Sequence, residues 1–303
     1  MKSNRVLLTG ATGFIGRHLV AALHDREIHV LTRPGADISM VSHCRNLKVH
    51  LYDGSSKSVI DAVINSQPGL VVHLAAFFVA EHKSDEVEWL IKSNILLGTQ
   101  LLEAMRTCGA RDLINTGTSW QNFENSDGRS VCLYAATKQA FESLIDFYVD
   151  AYSFRVITLK LFDTYGPRDP RAKLFTILRT ADPTKPLRMS EGHQLVDLVY
   201  IDDVVAAFLA GERHLIELRS GIHERFGVSS CNPRPLREVV EYFLREAKSD
   251  LNVEWGARPY RAREVMKPWS LFNPIPGWQP RISLEEGISR LLNDDQRGAF
   301  PVH

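Results

Sequence analysis

The stretch RVLLTGATGFIG, residues 5–16, places Gly10, Gly13 and Gly16 after a short apolar run and at the start of a helical pattern. Glycines in such a turn let backbone N–H groups approach a pyrophosphate at the helix N-terminus, where the helix dipole favours negative charge. A glycine turn that serves packing alone is the alternative. The position between a strand and a helix favours a dinucleotide-binding loop.

Beyond this loop, short apolar runs alternate with longer helical patterns up to residue 163. The runs are IHVLTR, LKVHLYD, LVVHLAA, RDLINTGTS and RVITLKLFD. This alternation predicts parallel strands joined by crossover helices, and the near-continuous apolar character predicts strands covered on both faces. We therefore predict an α/β fold with a Rossmann-type doubly wound parallel sheet.

The rhythm breaks after residue 162, where prolines interrupt the chain until LVYIDDVVAAFLAG (198–211) restores a strand and a helix. We therefore assign residues 1–162 to a dinucleotide-binding domain, to which residues 195–220 return. We assign residues 163–194 and 221–303 to a smaller, C-terminal substrate-binding lobe.

The bulk composition excludes several classes of function. The 303 residues carry 36 basic and 36 acidic side chains, so the formal net charge is zero and the footprint of a nucleic-acid-binding protein is missing. No window approaches the eighteen or so apolar residues of a membrane span, and we expect a cytoplasmic protein without a membrane partner. The four cysteines show no C-x-x-C spacing, so we predict neither a metal site nor a disulfide framework.

The residues after the second and third runs indicate which cofactor the loop holds. No Asp or Glu lies between Val30 and Ala36 to bind a ribose 2′-hydroxyl, and Arg33 suits a 2′-phosphate instead. We therefore predict NADPH/NADP, the alternative being that Arg33 is a solvated surface residue. Asp53 is positioned to receive the adenine amino group, or to cap the helix predicted for SSKSVIDAV.

Tyr134 and Lys138 are four residues apart and share one face of a predicted helix. A tyrosine ionises near pH 10, and an adjacent ammonium is expected to lower the pKa of the phenol, which makes the pair a workable acid. Tyr-x-x-x-Lys also occurs by chance as an exposed helix pair. The glycine loop and the upstream hydroxyl of Thr118 favour the catalytic interpretation.

These motifs resemble the extended short-chain dehydrogenase/reductase family of nucleotide-sugar epimerases, dehydratases and reductases, over nearly the whole chain. Further similar landmarks are DG at 53, HLAA at 73, Asn94, LFDTYGP at 161, YIDDVV at 200, RAREVM with Arg261, and GWQPRISLEEGI. The resemblance implies that Thr118, Tyr134 and Lys138 are catalytic, with the Thr118 hydroxyl bonding a sugar carbonyl oxygen. The alternative for Thr118 is a strand threonine satisfied by backbone.

The resemblance also implies two sets of binding residues and, as we expect, a homodimer. The cofactor set is Gly10, Thr12, Gly13, Phe14, Ile15, Gly16, Arg33, Asp53, Gly54, Leu74, Ala75, Ala76, Asn94, Tyr134, Lys138 and Leu161. The substrate set is Thr118, Ser119, Trp120, Lys173 and Arg261.

The residues after Thr118 indicate which chemistry the site lacks. Sugar 4,6-dehydratases of this family carry an acid two residues beyond that threonine, because expulsion of the C6 hydroxyl as water requires one. Ser119 and Trp120 offer no carboxylate. The segment to Tyr134 is short and resembles that of CDP-paratose and CDP-abequose synthases, which reduce a 4-keto sugar nucleotide with NADPH. Trp120 would suit a deoxygenated sugar edge, or is simply structural.

The chain departs from the family at Val196, where relatives carry an arginine that grips the substrate diphosphate. Arg261 matches a second phosphate arginine, and Lys173 lies where substrate contacts begin; either side chain is otherwise a solvated charge. The leading hypothesis is a ketoreductase acting on a nucleotide-sugar substrate, and the runner-up is an epimerase that retains NAD(H). A redox-sensing protein that binds the dinucleotide without chemistry is less favoured, because such proteins commonly lose the Tyr/Lys pair.

We expect the protein to bind NADPH more tightly than NADH, because Arg33 can pair with the 2′-phosphate through charge-assisted hydrogen bonds. Arg33→Ala should reduce this preference by roughly 1 to 3 kcal/mol, the range for hydrogen bonds to charged groups. Titration of both cofactors by fluorescence measures the preference. Equal affinities in the unmodified protein would contradict the assignment of NADP.

Overall fold

The computed structural model describes residues 4–42 and 44–297, and its core is a seven-stranded sheet in which every strand pair is parallel. The strands, in order across the sheet, are β11 (Ile222–Val228), β6 (Arg155–Leu161), β5 (Asp112–Thr118), β4 (Leu70–His73), β1 (Arg5–Thr9), β2 (Glu27–Thr32) and β3 (Leu47–Leu51). The strand order reverses between β1 and β4, which creates the crevice where α/β proteins bind ligands. The predicted doubly wound sheet is confirmed.

Helices connect these strands. They are α1 (Phe14–Ala22), α2 (Ser56–Ser66), α3 (Val87–Ile91), α4 (Leu97–Cys108), α5 (Leu133–Tyr152), α6 (Leu174–Thr180), α7 (Ile201–Glu217), α8 (Leu236–Glu246) and α9 (Leu284–Arg297). A π-helical turn (Lys92–Leu96) joins α3 to α4, and 3-10 turns occupy Ser84–Glu86, Ser119–Gln121 and Phe123–Asn125. In the described part of the chain, no helix has the length and apolar character needed to cross a bilayer.

The alternation of side chains along β1 shows how both faces of the sheet are covered. Val6 and Leu8 belong to a hydrophobic cluster with α1 and α7, whereas Leu7 belongs to a second cluster with α2, α4 and α5. All three side chains are fully buried. Successive residues of a strand point to opposite faces, so the apolar run of β1 supplies two cores at once.

The remaining strands form short pairs beside the main sheet. They are β7 (Asp163–Tyr165) with β10 (Leu198–Tyr200), β9 (Leu195–Val196) with β12 (Arg234–Pro235), and β8 (Leu187–Arg188) with β13 (Val253–Glu254). The structure also adds β11 to the edge of the main sheet, within the range that we assigned to the substrate lobe from the sequence. The sequence of β11, IHERFGV, hides a strand because three of its seven residues are ionisable.

The glycine loop lies unusually close to the end of β4. Gly10 has a φ of +73°, and a Cβ atom built on it would lie 2.7 Å from the Ala75 amide nitrogen. A Cβ on Gly16 would lie 2.1 Å from the Gly10 carbonyl oxygen. The Thr9 hydroxyl fixes the two chain segments, because its Oγ1 lies 2.8 Å from His73 Nδ1 and accepts a hydrogen bond from the Ala75 amide at 3.2 Å.

Gly16→Ala should destabilise the protein by about 1 to 3 kcal/mol, because the added methyl group overpacks the contact with Gly10. Gly211→Ala is the matched control: this glycine also lies in a helix, but its added Cβ would meet Leu159 and Ile157 at ordinary distances of 3.7 and 3.8 Å. The control should gain up to about 1 kcal/mol from helix propensity. Urea unfolding measures both, and a Gly16→Ala variant as stable as the unmodified protein would contradict the packing described.

Candidate active site

A cavity of about 1020 Å³ opens at the carboxyl ends of β1, β4, β5 and β6. Because parallel strands end at the same edge of the sheet, residues far apart in sequence meet there. The predicted site residues that line this cavity are Gly10, Gly13, Phe14, Ile15, Gly16, Leu74, Ala76, Thr118, Ser119, Trp120, Tyr134, Lys138, Leu161 and Lys173. We call it the cofactor cavity, because it extends from the glycine loop to the Tyr/Lys pair.

Other predicted residues lie outside the cavity wall; they are Thr12, Arg33, Asp53, Gly54, Ala75, Asn94 and Arg261. Arg33 follows the end of β2 and is exposed, and among the described residues no side-chain hydrogen bond to its guanidinium is found. It is thus accessible beside the strand that carries the glycine loop. Asp53 and Gly54 follow β3 and are also exposed.

Asp53 is held by the chain that follows it. Its Oδ1 accepts a hydrogen bond from the Ser55 amide at 2.9 Å, and hydrogen bonds from Ser55 lower the pKa of Asp53 to about 2. The alternative role of Asp53 as a helix cap is wrong, because Ser55 is the N-cap of α2 and its hydroxyl accepts from the Ser58 amide at 3.2 Å. Asp53 remains an exposed anion at the end of β3.

Asn94 contacts the protein rather than the cavity. Its buried amide accepts a hydrogen bond from the Phe77 amide (2.8 Å) and donates to the Phe77 carbonyl (3.0 Å) and to the Thr137 hydroxyl (2.9 Å). The Thr137 hydroxyl in turn donates to the Tyr134 carbonyl at 2.7 Å. Asn94 therefore joins the segment after β4 to the turn of α5 that carries Tyr134.

Thr118 is the last residue of β5, and its side chain caps the 3-10 turn that follows. Its Oγ1 accepts a hydrogen bond from the Trp120 amide at 3.3 Å, so the hydroxyl proton stays available to donate. The Thr118 amide donates to Gln121 Oε1 at 2.8 Å. Thr118 is therefore bonded to the backbone, as the alternative interpretation expects, and it also lines the cavity, as the catalytic interpretation requires.

Tyr134 and Lys138 lie on one face of α5, as predicted, but their pKa values differ from the expectation. Burial raises the pKa of Tyr134, so the expected lowering by Lys138 is wrong. Burial also lowers the pKa of Lys138 to about 8, against the raising influence of Glu142. Low polarity disfavours the charged form of each group, which moves the two values in opposite directions. The phenol is therefore protonated at neutral pH, as a proton donor must be.

An aromatic side chain that we did not predict completes this end of the cavity. The Phe78 ring meets the Tyr134 ring edge-on at 4.9 Å between centroids and lies 5.9 Å from the Trp120 ring. Lys173 Nζ lies 4.3 Å from the centre of the Phe78 ring and 3.4 Å from Asp163 Oδ1. Lys173 is therefore not a freely solvated charge, and its ammonium faces an aromatic surface.

A second cavity, of about 710 Å³, adjoins the first and shares Ser119, Trp120, Phe162 and Asp163 with it. We call it the substrate cavity. Val196 and Arg261 line it. Arg261 forms a two-fold ion pair with Glu264 at 3.0 and 2.9 Å, and its guanidinium lies 5.5 Å from the Trp120 ring centre. The predicted substrate residues are thus divided between two connected cavities.

Several polar residues of these walls carry no clear signal in the sequence. Asp163 lines both cavities, and Arg171 lines the cofactor cavity, where its guanidinium lies 4.6 Å from the Phe14 ring centre. Arg171 is held by a two-fold ion pair with Asp169 at 2.8 and 2.7 Å. In the sequence, the one indication that Asp163 and Arg171 belong to the site is their closeness to the motif LFDTYGP. Within the described residues, no group of three or more His, Cys, Asp or Glu side chains is arranged to hold a metal ion.

Comparison with known proteins agrees with this geometry. A model of the NAD dependent epimerase/dehydratase family matches residues 6–221. CDP-abequose synthase from Yersinia pseudotuberculosis is 29% identical, over 87% of this chain and 91% of that protein. UDP-glucuronate 4-epimerase from Thermodesulfobacterium geofontis is 24% identical, over 95% of this chain and 94% of that protein. The structure of UDP-glucose 4-epimerase from Thermus thermophilus in complex with NAD is 26% identical, with a TM-score of 0.80 over 98% of this chain and 100% of that one.

The pKa of Lys138, about 8, predicts how the reaction depends on pH. The ammonium is present below this pKa and is lost as the pH rises through it. We therefore expect kcat/KM, which reports groups of the free enzyme, to be level near pH 7 and to fall about tenfold per pH unit well above pH 8. Lys138→Met is the control. Its residual kcat/KM should be low and should not fall over the same pH range, because the titrating ammonium is absent. A limb that begins only near pH 10 would contradict the burial of this ammonium.

Proposed function

Because the chain belongs to the NAD-dependent epimerase/dehydratase family, we propose that it is an NADPH-dependent 4-ketoreductase. Its substrate is a 4-keto-deoxyhexose nucleotide, of the CDP-4-keto-3,6-dideoxyhexose type, and its product is the 4-hydroxy sugar. One observation supports this most directly. Thr118, Tyr134 and Lys138 line one cavity, while the next two residues after Thr118, which face both cavities, are Ser119 and Trp120 and carry no carboxylate.

The cofactor cavity fits a dinucleotide. Gly10, Gly13 and Gly16 line its wall where α1 begins, so backbone N–H groups at this helix N-terminus can lie against a pyrophosphate. Arg33, exposed beyond β2, would hold a 2′-phosphate, and Asp53 would face the adenine. When bound, NADPH would supply the hydride for the reduction.

The proton in this reduction comes from Tyr134. Its phenol is protonated at neutral pH, because burial raises its pKa, yet it is a far stronger acid than the alcohol that reduction creates. Thr118 donates its free hydroxyl proton to the same carbonyl oxygen and holds it in line. Lys138 brings a positive charge to the same face of α5, which stabilises negative charge as it develops.

A dehydratase would need a protonated acid beside the C6 hydroxyl, and the wall of the cofactor cavity, where Thr118, Tyr134 and Lys138 lie, offers a poor candidate. Asp163 is the carboxylate that lines the cofactor cavity, but it is paired with the Lys173 ammonium at 3.4 Å. A paired carboxylate accepts hydrogen bonds and does not supply a proton. The Phe78 and Trp120 rings instead form an apolar surface near Tyr134, which suits a sugar lacking hydroxyl groups.

The choice of CDP follows the relatives named CDP-abequose synthase, which align over most of this chain. Val196 removes one diphosphate arginine, so we propose that Arg261 and Lys173, which lie 5.5 and 6.0 Å from the Trp120 ring centre, hold the diphosphate. Arg261 is pre-oriented by Glu264, which fixes a rigid, planar donor at the cavity wall.

An epimerase is the second candidate, because relatives named UDP-glucuronate 4-epimerase and UDP-glucose 4-epimerase align over similar lengths. An epimerase would use the same catalytic residues but retain its NAD(H). Arg33 favours the exchangeable NADPH instead. A redox sensor without chemistry is disfavoured, because Tyr134 and Lys138 are both present on the cavity wall.

We also propose that the chain forms a homodimer through α3 to α5. Trp89 and Phe147 are 55% and 56% exposed on these helices, and Leu96 is 42% exposed in the π-helical turn between α3 and α4. Large exposed apolar side chains on neighbouring helices are typical of an interface. The division into a dinucleotide-binding domain and a substrate lobe, and the cytoplasmic location, likewise remain predictions.

The protein should consume one NADPH per molecule of a 4-keto-deoxyhexose nucleotide, and should not dehydrate an unmodified CDP- or dTDP-hexose. Nicotinamide absorbance and mass analysis of the sugar measure this. Formation of a 4-keto product from CDP-glucose without net cofactor use would show that the protein is a dehydratase. A product inverted at one carbon, with no NADPH consumed, would favour the epimerase.

Two substitutions serve as controls for this assay. Tyr134→Phe should lower turnover by orders of magnitude with cofactor binding nearly intact, because it removes the proton and little contact area. Lys138→Met should lower turnover and also weaken cofactor binding, since the family resemblance implies that this lysine holds the nicotinamide ribose as well. Near-full activity of Tyr134→Phe would show that the proton comes from elsewhere.

A further inference from the structure

The stripe of α5 that carries Tyr134 and Lys138 continues one turn further to Glu142. These residues are spaced at i, i+4 and i+8, so they share one helix face. The Glu142 side chain is only 1% exposed. A carboxylate so deep in the protein is costly unless charged and hydrogen-bonding partners surround it.

Glu142 has such partners on three sides. Its Oε1 accepts a hydrogen bond from Gln121 Nε2 at 2.6 Å, and its Oε2 accepts one from Arg225 Nε at 2.8 Å. The buried Lys160 Nζ lies 4.0 Å from the same Oε2. One carboxylate therefore joins α5 to β6, to β11 and to the turn that follows β5.

The segment 119–122 separates the cofactor cavity from the substrate cavity, and we call it the partition turn. Two partners of Glu142 fix it: Gln121, which belongs to the turn, and Lys160. Gln121 Oε1 accepts from the Thr118 amide at 2.8 Å, at the start of the turn. Lys160 Nζ donates to Asn122 Oδ1 at 3.0 Å, at its end. Ser119 and Trp120, between these anchors, line both cavities.

We propose that Glu142 is a positioning residue that fixes Thr118 and the partition turn through Gln121 and Lys160, and that its charge preserves the ammonium of Lys138 one turn away. Glu142 touches neither cavity. The proposal rests on the proposed function only in assigning Thr118 and Lys138 to the reaction.

Within the described structure, few charged or titratable groups lie near the face of α5 that carries Tyr134, Lys138 and Glu142. His73, at the end of β4, faces Lys138, but burial lowers the pKa of His73 to about 3, so this imidazole is neutral at working pH. Glu142 is the anion that raises the pKa of Lys138 against the effect of burial. Arg225 and His223 face Glu142 from β11, and Lys160 faces it from β6. Burial lowers the pKa of His223. Tyr134 precedes Lys138 on α5.

Two variants separate the geometric role of Glu142 from its electrostatic role. Glu142→Gln keeps the length and the acceptor for Gln121 but removes the charge, so the falling limb of kcat/KM should move to lower pH. Glu142→Asp keeps the charge but is too short to reach Gln121, so kcat should fall on the order of 10²-fold while the limb stays in place.

Asp146→Asn is the matched control. Asp146 lies one turn beyond Glu142 and pairs with the same Arg225, at 2.6 Å, but does not contact Gln121 or Lys160. If loss of an Arg225 partner were all that mattered, both sites would respond alike. Asp146 also hydrogen-bonds the buried His223, at 2.7 Å, and the other ring nitrogen of His223 bonds Thr158 rather than Gln121 or Lys160. We therefore expect Asp146→Asn to keep kcat and the pH limb within about twofold of the unmodified enzyme, because the bonds that hold the partition turn stay in place.

Hydrogen–deuterium exchange gives a measurement that needs no substrate. Peptides covering residues 116–123 should exchange faster in Glu142→Asp than in the unmodified protein, because the shortened side chain no longer reaches Gln121 and the bond between the Thr118 amide and Gln121 loosens. The same peptides should be unchanged in Asp146→Asn. If the unmodified enzyme reduces no 4-keto sugar nucleotide, the proposed function fails, but this exchange still decides whether Glu142 positions the turn.

The proposal would be overturned by equal exchange in Glu142→Asp and Asp146→Asn, or by equal pH limbs in Glu142→Gln and Asp146→Asn. If Glu142→Asp does not fold, Gln121→Ala decides, since it cuts the link to Thr118 and leaves Glu142 in place. This variant should show faster exchange and a lower kcat with an unmoved pH limb. Unmodified exchange in Gln121→Ala would equally overturn the proposal.

Discussion

The site depends on the close approach of two backbones, the glycine loop after β1 and the segment after β4. A side chain at Gly10 would collide with the Ala75 amide, and one at Gly16 would collide with the Gly10 carbonyl. Because both residues lack a Cβ atom, α1 can begin directly beside the switch point of the sheet. The ends of β1, β4, β5 and β6 then face one cavity, and this brings Thr118 and Tyr134 together. A bulkier loop would separate the helix N-terminus from Thr118 and Tyr134.

Burial determines the pKa values of Tyr134 and Lys138. The same loss of water raises the pKa of Tyr134 and lowers that of Lys138, so their proton affinities move in opposite directions. The protein holds a protonated phenol and an ammonium on one face of α5, where partial removal from water makes each electrostatic interaction stronger. Glu142 continues the same stripe into the core, and its pairing with Arg225 makes this buried charge tolerable.

The sequence predicted the parallel sheet and most of the cofactor cavity, because glycine spacing and strand-helix alternation are local signals. The Tyr134/Lys138 face also followed from helical spacing. What could not be predicted depends on tertiary packing. Phe78 meets Tyr134 only after the chain folds, β11 carries too many ionisable residues to show a strand pattern, and the pKa of Tyr134 follows burial that no spacing reveals. The alternative role of Asp53 as a helix cap was wrong because Ser55, only two residues further on, is the N-cap of α2.

The central claim is that hydride passes from a nicotinamide cofactor to C4 of a keto sugar and stays there. The most direct test supplies NADPH deuterated at the transferable position of C4 of the nicotinamide ring, together with CDP-4-keto-3,6-dideoxyhexose, and locates the label by NMR of the product sugar. The account predicts one deuterium at C4 of every product molecule, with an equal amount of NADP formed. An unlabelled sugar changed in configuration, with the added NADPH untouched, would contradict it.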